Sequence, residues 1–180
     1  MDRPRLDPWF ALRMGLVVVT GAPGSGKSTL ARPLADGLGW SLIEKAVIKE
    51  ALGDALGEVD RDDQRRLSAA SFLAIEALVP RLRDTVIEGN VYPGSPLAMR
   101  LAATAGAVEV LCRCPVEVCQ ERFVGRVDRH RVHSGGSPSL DYLRQFAEPI
   151  GLSGLVEVAT DRAVAVDDVV RRVRAELDRG

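Results

Sequence analysis

Aromatic residues are scarce: two Trp, two Tyr and four Phe among 180 residues. Single-stranded nucleic acid is usually gripped by stacking bases on aromatic rings, so a dedicated strand-binding groove is disfavoured. Cysteine is scarce too, with three residues, too few for a secreted disulfide framework. Cys112 and Cys114 stand two apart in an apolar run and would share a strand face. Further metal ligands are not close by in sequence, so inert buried thiols are expected there. Charge of one sign is missing: 24 Lys and Arg oppose 25 Asp and Glu, for a net charge of −1. No global basic field therefore draws in polyanions. No apolar run approaches the roughly 18–20 residues needed to span a membrane. The opening MDRPRLDPWFALRMG has no signal-peptide apolar core, and a cytoplasmic protein without membrane contact is expected.

What is present is an alternation of β-branched runs with helical patterns, in a length that suits one domain with a full core. Residues 1–14 read as an N-terminal arm ahead of a domain at 15–180. Strands are predicted at Gly15–Thr20, Trp40–Glu44, Thr85–Glu88, Ala107–Cys112 and Leu155–Val158. Helices are predicted at Lys27–Leu38, after the second strand to about Leu56, and over Arg61–Asp84, Pro96–Ala105, Val116–Arg129, Leu140–Ala147 and Asp167–Asp178. Pro33 and Pro80 fall inside helical patterns and should kink or break them. Near-continuous Val, Ile and Leu strands separated by helices indicate an α/β fold, a parallel sheet covered on both faces.

Between the first strand and first helix stands Gly21-Ala22-Pro23-Gly24-Ser25-Gly26-Lys27-Ser28, which matches G-x-x-x-x-G-K-[ST] in its confirming strand–loop–helix context. Glycines let the backbone curl so that successive N–H groups face phosphate oxygens. The helix N-terminus adds free donors and partial positive charge. In such a loop Lys27 reaches the β- and γ-phosphates, Ser28 offers a hydroxyl to Mg²⁺, and Thr29 stands by the α-phosphate. The ligand implied is a nucleoside triphosphate, ATP, with Mg²⁺. Downstream, ERFVGRVDRHRVH is rich in arginine, and Arg122, Arg126 and Arg129 would share one helix face. The flexible HSGGSPS follows, so 122–137 is expected to be a mobile Arg-rich lid, with Arg126 and then Arg122 as the phosphate contacts. Glu88 closes the third strand at the carboxyl edge, where ligands of open α/β sheets collect, and could hold a Mg²⁺-bound water or face an acceptor. Asn90 and Tyr92, in the turn that follows, are candidates for the acceptor pocket.

With those motifs in hand, the chain resembles the small P-loop kinases of the zeta-toxin, chloramphenicol phosphotransferase and polynucleotide kinase-like group. Beyond the loop, the likeness rests on LIEKAVIKEALGDALG, VIEGNVYPG, EVLCRCPVEVCQERFVGR and GLVEVAT, in that order, across roughly Leu16 to Val173. It implies a three-layer P-loop NTPase fold with a five-stranded parallel sheet of order 2-3-1-4-5. It also implies transfer of the γ-phosphoryl group to a hydroxyl of a small molecule, a nucleoside or a nucleic-acid 5′ end. Arg113, Thr160 and Asp161 would flank the base, and Lys49 would serve the acceptor.

The sequence departs from that pattern at two places. The resembled family carries an Asp after strand two, where this chain has Ala46, with Lys49 three residues later. The last strand reads Val158-Ala159-Thr160 where the family often has an Asp. Ala46 accepts no proton, so either Glu44 or Glu88 takes the acceptor-facing role, or the chain binds ATP without transferring phosphate, as a pseudokinase or adaptor. A stand-alone NTPase is the remaining alternative.

Overall fold

The computed structural model describes residues 15–58, 60–127, 130–133 and 136–179. The expected arm at 1–14 lies outside them, as does Arg129. The chain runs β1 (Leu16–Thr20), α1 (Lys27–Leu38), β2 (Ser41–Glu44), α2 (Lys45–Leu56), α3 (Arg61–Leu78), β3 (Thr85–Glu88), α4 (Pro96–Ala102), β4 (Ala107–Arg113), α5 (Val116–Val124), α6 (Leu140–Arg144), β5 (Gly154–Ala159) and α7 (Val166–Leu177). All five strands are parallel, in the order β2-β3-β1-β4-β5. This is the order the kinase resemblance implied.

Strand parity divides the core. On β1, Val17 and Val19 face one way and join Leu34 of α1, Val110, Val156, and Val170 and Val173 of α7. Leu16 and Val18 face the other way and join Ile75 of α3, Ile87, and Leu97 and Leu101 of α4. Both faces of the central strand are therefore covered, which explains its unbroken apolar run. Each fully buried aliphatic side chain contributes about 1.5–3 kcal/mol. Buried on the α3–α4 face, Glu109 is tied down at both oxygens. It accepts from Thr20 Oγ1 at 2.5 Å and from the Ile150 N–H at 2.8 Å.

Helix ends follow local chemistry. Asp60 and Asp63 form a capping box that starts α3. Ser95 caps α4, with Pro96 in its first turn, where a missing N–H costs nothing. The long third helix breaks where Pro80 predicts: α3 ends at Leu78, and a 3-10 turn covers Val79–Arg81. Pro33 stays inside α1. Two expected helices are shorter in the structure, α4 ending at Ala102 and α6 at Arg144.

The larger difference is in α5. It stops at Val124, and the Gly125 N–H returns to Glu121 O at 2.8 Å. The expected helix does not continue through 125–127, so Arg122 and Arg126 do not share a helix face. Arg122 lies in the last turn of α5 and Arg126 beyond its end. Glycine and β-branched valine at 125 and 127 favour that termination.

Candidate active site

The loop from Gly21 to Gly26 leaves β1 at the carboxyl edge of the sheet and delivers α1 with its N-terminus open. Gly21, Gly24 and Gly26 all have left-handed φ, at 132°, 85° and 89°. A Cβ on Gly24 would lie 2.1 Å from the backbone oxygen of Cys119 on α5, so the loop is pressed against that helix. Inside the curl, Ser25 Oγ is buried without a hydrogen-bond partner. A buried hydroxyl lacking a partner beside a ring of backbone donors fits an oxyanion that completes it. Lys27 is buried, and its Nζ donates to Ala22 O at 2.7 Å. Ser28 is half-buried at the rim and Thr29 is exposed. The residues present therefore fit a bound phosphate chain.

In front of the loop opens a cleft of about 640 Å³. One end is made by Gly24, Lys27, Ser28, Glu88 and Arg126, the other by α2, α3 and His130, Val132, His133 and Gly136–Pro138. Glu88 is buried and sits in register with Val19 of β1 and Glu44 of β2. Burial raises its carboxyl above the usual range, and the Lys27 charge only partly offsets that. Lys27 moves the opposite way: burial lowers its ammonium, and Glu88 opposes the shift. Both shifts run toward neutrality, so desolvation outweighs the attraction between the two groups. Arg126 acts on both, favouring ionised Glu88 and disfavouring charged Lys27. Lys27, Glu88 and Arg126 thus form one electrostatic unit at the mouth of the loop.

The AAA domain family matches residues 16–150. The chain belongs to that family. A shikimate kinase of Chlorobium chlorochromatii (strain CaD3) is 28% identical over 116 residues, covering 63% of this chain and 60% of that one. The match thus spans less than two thirds of that relative's length. A structure from Chloroflexus aurantiacus J-10-fl, provisionally assigned as a kinase, aligns with a TM-score of 0.76 and 25% identity, over 91% of this chain and 98% of that one. A gluconokinase from Sinorhizobium meliloti 1021 shares the fold, with a TM-score of 0.58 and 23% identity over 92% of each chain. The fold of this AAA domain is that of the small P-loop kinases.

The structure distributes the sequence-predicted residues unevenly around the AAA domain's cleft. Lys27, Ser28, Ala46, Lys49, Glu88, Asn90 and Arg126 line it. Arg122 turns away: its guanidinium donates to Thr160 O at 2.8 Å and Asp161 O at 3.2 Å, tying α5 to the segment after β5. Thr160 itself bonds back to Arg113 O and stands 3.7 Å from a Cβ placed on Gly26. Arg113 is engaged by Glu157 and by Ala147 O. Glu44 turns to α1 and not to the acceptor, accepting from Arg32 Nε at 3.2 Å through both oxygens. Its charge still reaches Glu88, whose ionisation it opposes. Tyr92 is also outside the cleft wall, packed edge-on against Phe146 with ring centroids 6.1 Å apart. Cys112 is buried and Cys114 half-buried, and among the described residues no cluster of three metal-type ligands occurs.

Several cleft residues escaped the sequence reading. His130 and His133 both line it, and each bonds a carboxylate on α2: His130 to Asp54 at 3.1 Å, His133 to Glu50 at 3.0 Å. Arg131 donates to Asp54, Gly53 O and Gly57 O. Lys49 Nζ donates to Val132 O at 2.6 Å. The 130–133 segment, expected in a mobile lid, is thus fastened to α2. Lys45 is the other omission. It lines the cleft with its Nζ on Ser68 Oγ at 2.5 Å and 4.8 Å from the centroid of the Phe72 ring. A lysine opening a helix reads as surface until α3 is seen to cover it.

Proposed function

We propose that the protein is an ATP-dependent kinase that transfers the γ-phosphoryl group to a hydroxyl of a small molecule. The observation that carries this reading is the convergence of Lys27, Glu88 and Arg126 in a cleft that continues past them along α2 and α3. Hydrolysis of nucleotide alone needs no such extension. The kinase assignments of the relatives support the same reading.

In this proposal the Gly21–Gly26 amides and Lys27 hold the β- and γ-phosphates, and Thr29 stands by the α-phosphate. Mg²⁺, held by Ser28 and through water by Glu88, supplies neutralisation of the phosphate charge when bound. Arg122 and Thr160 shape the nucleotide side, where Arg122 fixes the loop after β5 and Arg126 faces the transferred group. The acceptor oxygen forms its bond to the γ-phosphorus as the bond to the β,γ-bridging oxygen breaks. ADP departs, and the hydroxyl proton passes late in the step to an oxygen of the transferred phosphoryl group and from there to solvent. A loose transition state asks little of a base, so positioning beside Glu88 suffices without a carboxylate at Ala46. Glu44 acts indirectly, through its charge on Glu88. Asn90 and Lys49 belong to the acceptor side, and Tyr92 only supports the turn.

Ala46 in the cleft wall favours one competing reading, an ATP-binding pseudokinase or adaptor. Transfer of labelled γ-phosphate from Mg-ATP to pooled sugars, sugar acids, nucleosides and 5′-hydroxyl oligonucleotides separates the two. Lys27-dependent transfer to one pool establishes the kinase. ATP binding with no transfer to any pool establishes the pseudokinase.

A further inference from the structure

Two lysines stand side by side in the acceptor half of the cleft, each more than nine-tenths removed from solvent, with Lys45 8% and Lys49 7% exposed. Among the described residues, the partners of both ammonium groups are neutral: the Ser68 hydroxyl and Phe72 ring for Lys45, and the Val132 carbonyl for Lys49. Buried charges are ordinarily paired, because an unpaired one keeps its full desolvation cost. These two also repel each other: Lys49 adds to the burial that pushes Lys45 down to about 8. Arg61 and Arg65 of α3 line the same half, Arg65 also paired with the exposed Asp62 on its own helix. The adjacent carboxylates are turned to other partners, Glu44 to Arg32 and Glu50 to His133, and only the more distant charges of Glu88 on Lys45 and Glu50 on Lys49 favour the ammonium forms. This concentration of positive charge occurs in a chain whose net charge is −1. It is a local feature of one wall.

We propose that Lys45 and Lys49, with Arg61 and Arg65 on the α3 side, form an anion seat for the acceptor, which is a small hydroxylated acid bearing a carboxylate or a phosphate ester. The identification of the anion as an acceptor rests on the kinase reading above; the seat itself does not. The seat opens into the cleft shared with Lys27 and Glu88, so an acid held there presents its hydroxyls toward the phosphate loop. A neutral sugar or nucleoside would leave both ammonium groups without an anionic partner. A small polyol acid supplies the anion and the hydroxyl in one molecule.

The test uses the full chain carrying Lys27→Ala, without nucleotide, so that the phosphate loop is not the site read. Thermal midpoints are compared with D-gluconate, D-glucose 6-phosphate and the neutral D-glucitol. Either acid is expected to raise the midpoint and D-glucitol to leave it unchanged. The stronger acid identifies carboxylate or phosphate as the anion. Lys45→Met or Lys49→Met should weaken that acid's affinity by about tenfold or more, the worth of one charged hydrogen bond. An equal rise with D-glucitol, no rise with either acid, or an acid effect that survives both substitutions overturns the proposal. A second measurement needs no substitution at the seat. The Lys45 ζ-nitrogen, followed by NMR, should titrate at higher pH when the effective acid is added, and an unmoved midpoint overturns the seat. Neither assay contains ATP, so an absent phosphotransferase activity leaves both results standing. Conversely, Lys27-dependent transfer to D-glucitol as fast as to D-gluconate would keep the kinase and end this proposal.

Discussion

Val132 is completely buried, and its Cγ1 lies 2.2 Å from where a Cβ on Gly53 would stand. The side chain of one residue thus fills the vacancy left by the other, joining the segment after α5 to the middle of α2. Gly53→Ala is expected to push Val132 off α2 and, with it, the Lys49 contact at Val132 O. The helix itself should gain, since alanine is the better helix former by roughly 0.5–1 kcal/mol. The variant should therefore retain its fold by circular dichroism while its acceptor KM rises several-fold. An unchanged KM would show that the docked segment has no part in acceptor binding.

Arg126 and Arg122 should behave differently when truncated. Arg126 faces Lys27 and Glu88, and removing a cation aimed at a transferred phosphoryl group costs about 10²–10³ in kcat. Arg122 holds Thr160 O and Asp161 O. Its replacement by alanine should lower the thermal midpoint and raise the KM for ATP, with a smaller loss in kcat. Steady-state kinetics of the two variants against ATP decides the assignment. A reversed order would place Arg122 on the phosphates.

Glu88→Gln should trade activity for stability. The Glu88 carboxyl is raised in the folded chain by burial. The folded state therefore holds a proton that the unfolded chain has lost, and stability falls as pH rises through that window, above about 4.5. Glutamine removes this dependence. The variant should be more stable than wild type at neutral pH, as read by urea titration, and should lose most turnover. In the wild type, turnover should fall on acidification at a pH above the ordinary carboxylate range. A wild-type profile flat through that region would remove Glu88 from the reaction.

Binding at the lysine seat should weaken as pH climbs through about 8, where the Lys45 ammonium loses its proton. The groups that act on it are Lys49, which favours the neutral form, and Glu88, which favours the charged one. An anion that seats on Lys45 restores its charge, so binding near pH 8 takes up a fraction of a proton. Calorimetry of D-gluconate binding in two buffers of different ionisation enthalpy measures that uptake directly. Equal heats in both buffers would show that Lys45 does not respond to the acid.

The phosphate loop and the sheet were legible because their information is local. Glycines at 21, 24 and 26 needed left-handed backbone, and they stood between an apolar strand and a helix. The end of α5 was less legible, because Arg122, Arg126 and Arg129 satisfy helical spacing whether or not Gly125 lets the helix continue. The acceptor half was legible only in part: Lys49 and Asn90, expected there, line the cleft, but the histidine contacts gave no local signal. His130 and Asp54 are 76 residues apart in the chain, His133 and Glu50 83 apart. Nothing in either local stretch signals the pairing. Glu44, one of two carboxylates offered for the acceptor-facing role, was undecided for a related reason: strand parity, set by the sheet, turns it to the α1 face and Arg32.

The backbone contact between Gly24 and Cys119 has a mechanical meaning. The loop and α5 meet backbone to backbone with no room for a Cβ, so any side chain at position 24 would wedge the two apart. Arg126 hangs from the same helix, just past its end at Gly125, so that wedge would also displace the guanidinium that acts on Lys27 and Glu88.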